Sequence, residues 1–510
     1  MKKTILLLVL VILSTLLMTG RVYAREGING YEGGISSGEV PDNSTYDYKE
    51  VTFISGEPVV FEGTLLIKKS LKQDKVTTTY TYNLRNAEKE GTLTRVLVFT
   101  TASEKKQNGQ ITEAVSLTSA RESVKIDGVT YNITNKNNYQ MARSNLIDPK
   151  PSVNYHAGSM WSRKVYQVGA VNDGNKVTVE CTGAFYGYDQ YWGNAESLLL
   201  DYVISGEKQD SDGVDIWGGT ASVSISSTST EQLKYQENKP DQISFPGSYV
   251  QSRMNSSVLQ YTSMMPEFDA KGISTDHILT YSDSLSIETF PVQKRLPAVN
   301  ATNFTGHWAE NELKIMFGLE VFKGDSRSFN PDNYMTRAEF AAALVNVAKM
   351  VPEDPAMVTR TTTASRKTTG KEVIISPFDD VSIENIYFND IKSAFERGLL
   401  NGKGYNTFAP NDSITRADAT VAFIRALGFE ALAPAPNAVT SFRDNDLIPG
   451  HARGAAYVAQ KIGLLQGDSR GYMNPGKKLT KAEGATMINK LIQYLQDGIR
   501  KDYRDRLINY

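Results

Sequence analysis

Three short segments of the chain combine the same kinds of side chain: a threonine, a basic residue directly after it, and an acidic residue three positions after the threonine. They are Thr336-Arg337-Ala338-Glu339, Thr415-Arg416-Ala417-Asp418 and Thr480-Lys481-Ala482-Glu483. A threonine followed three residues later by an acid, just before an apolar run, forms a capping box at the start of a helix. The spacing therefore predicts three helix N-termini, each capped by its threonine and its acid.

The basic residue of each segment is the candidate for binding chemistry. Neither the cap nor the apolar stripe of the following helix requires a cation there, and a cation in the first turn opposes the helix dipole. A guanidinium makes forked, charge-assisted bonds to a carboxylate, which an ammonium cannot make. We therefore expect Arg337 and Arg416 to bind an acidic ligand more strongly than Lys481. We also expect their removal to leave thermal stability nearly intact.

Each capped segment follows a glycine-rich turn and a second turn that ends in proline. The glycines are Gly324, Gly402 and Gly467. Glycine just past an apolar stretch suits the left-handed end of a helix, and its backbone allows a ligand to approach closely. The proline turns are Phe329-Asn330-Pro331, Phe408-Ala409-Pro410 and Met473-Asn474-Pro475. The same order of features in three places predicts a repeated structural unit.

Together with His307-Trp308-Ala309 and Phe378-Asp379-Asp380-Val381, these features resemble the repeat of the S-layer homology family over residues 299–495. The resemblance implies an all-α module of three repeats in a pseudo-threefold bundle. It also implies grooves that bind secondary cell-wall polysaccharide, often one that carries ketal-linked pyruvate. The pyruvyl carboxylate would meet the basic residues, a sugar ring would meet Trp308, and the three glycines would let the ligand approach the backbone.

The three units depart from the family pattern in different ways. The first has Ala301 and Asn303 where the family has Phe and Asp. The second and third have Ile386 and His451 near the position of the family's Trp. The third also has Lys481 in place of the arginine. We therefore expect the three sites to bind unequally.

The first 24 residues have the pattern of a secretory signal peptide. Two lysines precede an apolar core, and Val22-Tyr23-Ala24 forms a small-residue cleavage site. Later segments contain no apolar run long enough to span a membrane. We expect a protein that is exported and then held at the cell wall by the repeats.

Composition argues against several classes of function. The formal net charge is −2, from 55 basic and 57 acidic residues, so the chain lacks the excess of basic residues that is typical of proteins that bind nucleic acid or anionic lipid. One cysteine, Cys181, forbids an intramolecular disulfide, and four scattered histidines lack metal-ligand spacing. We expect neither a metal nor another cofactor.

Residues 25–49 are predicted to be a flexible leader, and residues 50–298 an antiparallel, sandwich-like β domain of unknown role. Alternating β-branched and aromatic residues and an Asp127-Gly128 hairpin signal support strands. A division into two subdomains near residues 206–215 stays open. The aromatic run 185–192 suits either a sugar-stacking platform or, more commonly, a buried strand face. The acidic turn at residues 210–215 suits solvent better than calcium.

The second half of the chain divides at its repeats. We expect repeats at residues 299–350, 377–429 and 440–495, a basic threonine-rich loop at 351–376, an Ala/Pro link at 430–439 and a helical tail at 496–510. The leading hypothesis is a wall-anchored surface protein that displays the β domain. A wall-tethered polysaccharide or peptidoglycan hydrolase, and a self-associating S-layer lattice subunit, are the alternatives. No catalytic motif supports an enzyme.

The capping assignment can be tested by substitution. Thr336→Ala, Thr415→Ala and Thr480→Ala should each lower the free energy of unfolding by about 0.5–2 kcal/mol, because each removes a hydroxyl that accepts from a first-turn N–H group. Urea unfolding followed by circular dichroism measures this loss. Three unchanged unfolding midpoints would contradict the capping assignment.

Overall fold

The computed structural model describes residues 32–37, 45–72, 75–170, 173–210, 213–238, 247–270, 272–351, 375–434, 436 and 438–508. The predicted signal peptide and most of the predicted basic loop lie outside the described residues. Within them, strands occupy the first part of the chain and helices occupy the second part.

The first part is a single antiparallel sheet of 15 strands. The strands are β1 (Ile35–Ser36), β2 (Thr45–Thr52), β3 (Val59–Lys72), β4 (Lys75–Asn86), β5 (Gly91–Lys105), β6 (Ile111–Ile126), β7 (Val129–Ile133), β8 (Tyr139–Pro149), β9 (Val153–Val168), β10 (Lys176–Gln190), β11 (Gly193–Asp210), β12 (Gly213–Gln236), β13 (Ser248–Phe268), β14 (Ser274–Glu288) and β15 (Val292–Arg295). Neighbours in sequence are mostly neighbours in the sheet; β8 pairs with β6 and β9, and β15 pairs with β13.

The sheet bends back on itself, because β14 contacts both β1 and β2 at the opposite end of the strand order. One face therefore encloses an apolar core, which includes Phe61, Leu97 and Leu259. The prediction of a sandwich was wrong in one respect: the strands form one hydrogen-bonded sheet and are not divided between two. Alternation along a strand reports that one face is buried but not which strands cover it.

Strands β11 and β12 pair from Gly193↔Thr230 to Asp210↔Gly213, so the described residues near the division that the sequence left open belong to one continuous strand pairing. Strand β1 and the first residues of β2 lie within the predicted flexible leader. Ile35 is fully buried, and the described part of the leader belongs to the sheet.

A charged network lies inside the β domain. On β5 the side chains alternate between buried and exposed, and Arg95 takes an inward position between Leu93 and Leu97. Its guanidinium forms a forked pair with Glu50 at 2.7 and 2.9 Å and a further bond to Glu122 at 2.8 Å. Although burial opposes the charged form, the cations of Arg95 and Lys164 lower the pKa of Glu122 to about 2.

The second part contains seven α-helices within the described residues. They are α1 (Glu310–Gly318), α2 (Arg337–Val347), α3 (Phe388–Glu396), α4 (Arg416–Leu427), α5 (Gly450–Lys461), α6 (Lys481–Gln493) and α7 (Ile499–Ile508). A π-helical turn, Tyr494–Gly498, joins α6 to α7. The helices α2, α4 and α6 begin at the three threonine segments.

The threonine at the start of each of these helices caps it. The hydroxyl of Thr336 accepts from the N–H of Glu339 at 3.1 Å, and the Glu339 carboxylate accepts from the N–H of Thr336 at 2.9 Å. Thr480 and Glu483 make the same pair of bonds at 3.2 and 3.1 Å. Thr415 accepts from the N–H of Asp418 at 3.2 Å. The second bond of the capping box, from the N–H of the threonine to the acid, is made by the two glutamates, whose side chains are one carbon longer than that of aspartate.

The three segments before these helices exchange backbone hydrogen bonds in a closed ring. The N–H of Met335 donates to the carbonyl of Leu479 at 2.9 Å, Leu479 donates to Ile414 at 3.0 Å, and Ile414 donates to Met335 at 3.0 Å. The first-turn N–H groups of α2 donate to the turn before α4, those of α4 to the turn before α6, and those of α6 to the turn before α2, which is the opposite direction around the ring. These bonds are Arg337 to Asp412, Arg416 to Lys477, Lys481 to Asn333, Ala338 to Pro410, Ala417 to Pro475 and Ala482 to Pro331.

An aspartate fixes two of the three proline turns. The carboxylate of Asp380 accepts from the N–H groups of Phe408 and Ala409 at 2.8 and 2.7 Å. Ala409 has a φ of 57°, a left-handed conformation that costs a residue with a Cβ atom about 1–2 kcal/mol. Asp444 holds the corresponding turn of the third unit in the same way. The first unit has Asn303 at this position, and its amide donates to the carbonyl of Arg327.

The β domain packs against the C-terminal ends of the three capped helices. The last carbonyls of a helix have no partner within the helix. Here Trp192 donates to the last carbonyl of α2, Val347, at 2.9 Å, and Tyr155 donates to the last carbonyl of α4, Leu427, at 2.8 Å. Gln190 donates to the carbonyl of Leu495, in the π-helical turn that follows α6. Apolar residues of both parts form one continuous core.

This contact decides the role of the aromatic run 185–192. Tyr188 and Trp192 are each 2% exposed, and Tyr188 packs edge-to-face on Tyr503 of α7 with ring centroids 5.1 Å apart. The run therefore belongs to an internal interface, and its most buried rings are not available to stack on a sugar. Tyr503, within the predicted tail, packs on the β domain through Tyr186 and Tyr188.

Removal of one donor tests this interface. Tyr155→Phe preserves the ring but leaves the Leu427 carbonyl without this donor, so the free energy of unfolding should fall by about 1–3 kcal/mol. Tyr405→Phe is the matched control, because Tyr405 is 94% exposed. Urea unfolding measures both variants. Equal stabilities of the two variants would contradict a role for this bond in joining the domains.

Candidate ligand-binding grooves

Three helix pairs join the units of the helical part, and the proposed grooves lie at these pairs. In each, a capped helix packs against the first helix of another unit: α2 against α3, α4 against α5, and α6 against α1. The basic residue beside the cap reaches toward a neighbouring unit. We name the grooves after these residues: the Arg337 groove, the Arg416 groove and the Lys481 groove.

The side chain of Arg337 is built into the structure. The residue is 3% exposed, and its guanidinium donates to the carbonyls of Phe408 at 2.9 Å and Asn401 at 2.8 Å. It also lies 4.9 Å from the centre of the Phe408 ring and 3.8 Å from the carboxylate of Asp418. Burial lowers the pKa of Arg337, against the pull of Asp418. The premise that the fold does not need this cation was wrong for Arg337.

The glycine turn beside Arg337 explains why the guanidinium fits. A Cβ atom on Gly402 would come within 2.6 Å of the Thr407 carbonyl oxygen, so this turn packs closely on the chain that follows it. The Asn401 carbonyl at the turn then faces Arg337. Gly402 therefore serves the packing of the turn, in addition to any ligand.

Arg416 takes the same position with fewer bonds. It is half-buried and donates to the carbonyl of Gln466, beside Gly467, at 3.1 Å. Its Nε atom is buried and has no hydrogen-bond partner within the described part of the chain. Trp308 precedes α1, which packs on α6, and its ring is 63% exposed. Trp308 and Arg337 therefore belong to different grooves.

Lys481 lines a pocket that is open to solvent. Its Nζ pairs with a carboxylate oxygen of Glu339 at 2.6 Å and lies 5.4 Å from the centre of the Phe329 ring. Aliphatic and aromatic side chains of the first unit and Tyr387 of the second unit complete the lining. The lining residues are Val321, Phe322, Lys323, Phe329, Met335, Glu339, Ala342, Tyr387 and Lys481.

A second ammonium group faces the same pocket. Lys323 pairs with Asp390 at 2.5 Å and lies 5.7 Å from the centre of the Tyr387 ring, and its side chain is 40% exposed. Sequence reasoning missed Lys323, Phe322 and Tyr387. The signal for Lys323 was its place directly before Gly324, and the signal for Tyr387 was its place directly after Ile386, near the position of the family's Trp.

The acids of the caps also face the grooves. Glu339 contacts Lys481, and Asp418 lies 3.8 Å from Arg337 and 3.5 Å from His451. Because the first-turn N–H groups of the capped helices already donate within the ring and to the caps, they offer little to an anion. Recognition of an acidic ligand here depends on side chains.

The remaining site residues are placed as follows. Gly324 has a φ of 101° and open space where a Cβ atom would lie, so its turn borders solvent. A Cβ atom on Gly467 would lie 3.1 Å from the carbonyl carbon of Gly471, so the two glycines are closely packed. Glu483 pairs with Lys477 at 2.5 Å. Burial raises the pKa of the Cys181 thiol to about 12, which keeps it unreactive.

The described residues contain no group of three or more His, Cys, Asp or Glu side chains placed to hold a metal ion. None of the helices in the described ranges combines the length and the apolar character that crossing a membrane requires.

Comparison with known proteins identifies the helical part. The family described as "S-layer homology domain" matches residues 304–341 and 377–420. The chain therefore contains S-layer homology domains in its C-terminal region. It is a protein of the cell wall or cell surface.

Similar proteins include both enzymes and a surface-layer protein. An amylopullulanase of Thermoanaerobacterium thermosulfurigenes is 28% identical over 189 residues, which is 37% of this chain and 9% of that protein. Exoglucanase XynX of Acetivibrio thermocellus is 26% identical over 198 residues, 38% of this chain and 16% of that protein. The surface-layer 125 kDa protein of Lysinibacillus sphaericus is 22% identical over 199 residues, 38% and 15% of the two chains. The match thus spans less than a fifth of each relative.

The buried guanidinium predicts a stability effect at Arg337. Arg337→Ala should lower the free energy of unfolding by about 1–3 kcal/mol for each buried carbonyl that loses its donor. Arg416→Ala should cost less, because Arg416 makes one longer bond and is less buried. Arg327→Ala is the control, since Arg327 is a surface residue whose side chain is 71% exposed. Unfolding midpoints that are the same for Arg337→Ala and Arg327→Ala would contradict this assignment.

Proposed function

We propose that three S-layer homology repeats, at residues 299–350, 377–429 and 440–495, form a pseudo-threefold bundle that binds secondary cell-wall polysaccharide and displays the β domain. The observation that carries the proposal is the closed ring of hydrogen bonds through Met335, Ile414 and Leu479. The third unit donates and accepts in the ring as the first two do, which supports its inclusion as a repeat.

The Lys481 groove is the best candidate for the polysaccharide. It combines two ammonium groups, on Lys481 and Lys323, with the aromatic side chains of Phe322, Phe329 and Tyr387 in one open pocket. Ammonium groups attract the carboxylate of a pyruvyl group, and aromatic rings pack against the apolar face of a sugar. Both Lys–carboxylate pairs are partly exposed, so an incoming carboxylate can compete with Glu339 and Asp390.

The other two grooves are weaker candidates. In the Arg337 groove the guanidinium already donates to two carbonyls and is buried, so a ligand would have to displace bonds within the fold. In the Arg416 groove the guanidinium keeps a buried donor without a partner among the described residues, whereas the exposed Trp308 lies beside the helix pair α1 and α6 of the Lys481 groove. We therefore rank the grooves Lys481, then Arg416, then Arg337. This order reverses the one expected from residue types alone.

The proposed anchor fixes the orientation of the β domain. The grooves lie at the N-terminal ends of the capped helices, and the β domain covers their C-terminal ends. Helix α2 has 11 residues, which corresponds to about 16 Å along its axis. A polysaccharide in the grooves would therefore hold the β domain on the side of the module that faces away from the wall. We do not assign the hydrolase activities of the relatives to this chain.

Binding of the full exported chain to purified wall polysaccharide tests the proposal. Lys481→Ala and Lys323→Ala should each remove a charge-assisted contact worth on the order of 1.5–3 kcal/mol, about tenfold or more in affinity. Lys392→Ala is the matched control, because Lys392 lies on α3 outside the pocket lining and is similarly exposed. Calorimetry with native and de-pyruvylated polysaccharide measures the effect.

Removal of pyruvate should weaken wild-type binding and erase the difference between Lys481→Ala and wild type. Lys481→Arg should retain binding, because the charge remains. Equal affinity of wild type, Lys481→Ala and Lys323→Ala for native polysaccharide would overturn the choice of groove. If the wild-type chain does not bind, the proposal that wall polysaccharide is the ligand is wrong.

A further inference from the structure

The six described residues of the leader, 32–37, lie inside the β domain. Ile35, Ser36 and Ser37 are at most 8% exposed. Strand β1 pairs with β2 through Ile35↔Lys49 and Ser36↔Tyr48, and the N–H of Ser37 donates to the carbonyl of Asp47 at 2.9 Å. On its other side β1 contacts β13 and β14. The segment thus fills a slot between the two ends of the curved sheet.

Glu32 anchors this segment through charge. Its carboxylate contacts the ammonium of Lys164 and the hydroxyl of Tyr139, and it lies 3.8 Å from Nε of Arg95. The side chain of Glu32 is 2% exposed, and that of Lys164 is 12% exposed. Arg95 and Lys164 also pair with Glu122. A buried cation that loses a partner is costly, so the interior of the domain favours an acid at this position.

Two glycines make the segment fit. A Cβ atom on Gly33 would come within 2.5 Å of Leu200 and Tyr202, and Gly33 has a φ of +78°. A Cβ atom on Gly34 would come within 2.2 Å of the Tyr48 hydroxyl and 2.6 Å of the Lys49 carbonyl oxygen. The slot therefore accepts a chain of the form acid-Gly-Gly-apolar-Ser-Ser and excludes larger residues at both glycine positions.

From these contacts we infer that the slot is a binding site for residues 32–37 that a second copy of this chain can fill. The contacts are the same whether the segment comes from the same chain or from another, which makes exchange of an identical element a low-cost route to association. The occupant is defined by complementarity: an acid for Lys164, two glycines for the narrow part, and a strand for the edge of β2. The inference does not depend on the proposed polysaccharide.

Chain length permits the exchange. Seven residues, 38–44, connect the segment to β2. Seven residues can span at most about 25 Å when extended, which allows the segment to reach a neighbouring molecule. The competing intramolecular insertion has an effective concentration on the order of millimolar for a short connection, so exchange requires crowded copies. A protein anchored at a cell surface meets that condition more readily than a dilute one.

A disulfide trap distinguishes the two arrangements. Ile35 and Lys49 are directly opposite in the sheet, a spacing that suits a disulfide. Ile35→Cys and Lys49→Cys are made in separate full exported chains, mixed at high protein concentration and oxidised. A covalent dimer forms between them only if residues 32–37 of one chain enter the slot of the other chain. We expect this dimer, and we expect its share to rise with protein concentration.

The controls make each outcome decisive. A mixture of Ile35→Cys with Lys68→Cys should give no comparable dimer, because Lys68 is exposed on β3 and pairs with Thr79. The double variant Ile35→Cys/Lys49→Cys in one dilute chain should form the intrachain disulfide, which also reports that the variant chains fold. An intrachain disulfide with no dimer above control would overturn exchange and leave a strictly intramolecular strand. If neither disulfide forms, the pairing of residues 32–37 with β2 in the slot is wrong.

Discussion

The helical part depends on the ring of backbone hydrogen bonds that joins the segments before α2, α4 and α6. Each bond satisfies a buried backbone group in one unit with a group from another, so no unit can bury these groups alone. The ring also positions the first-turn N–H groups of each helix over the turn of the next. Consequently the helix starts are saturated by the protein, and the chemistry of the grooves falls to side chains that project beside the caps.

Small differences among the units then separate the grooves. A guanidinium at position 337 reaches two carbonyls of the neighbouring turn and becomes part of the fold, whereas the ammonium of Lys481 pairs with Glu339 at the mouth of an open pocket. Lys323 adds a second cation to that pocket and Tyr387 a ring. Near-repetition in sequence therefore produces three unlike sites, because the partner of each basic residue lies in a different unit.

The opposite ends of the same helices unite the two parts of the chain. The last carbonyls of α2 and α4 accept from Trp192 and Tyr155, a carbonyl of the π-helical turn after α6 accepts from Gln190, and the apolar residues around them form one core. The β domain is organised by a comparable need for partners, since Arg95 and Lys164 are buried and surrounded by Glu32, Glu50 and Glu122. In both places, groups that cannot remain unpaired in a dry interior determine how distant segments meet.

The sequence by itself determined what is local. Thr-x-x-Glu marked the helix starts, alternating residues marked the strands, and the repeated order of motifs marked the S-layer homology region, because capping and burial periodicity depend on residues a few positions apart. Only the tertiary structure decided which groups meet over long distances. It gave Arg337 two carbonyls some 64 and 71 residues away, placed the rings at 188 and 192 in an interface, joined the strands in one sheet, and brought residues 32–37 of the leader into that sheet. A residue pattern reports that a side chain is buried or charged, but its partner is fixed by the path of the whole chain.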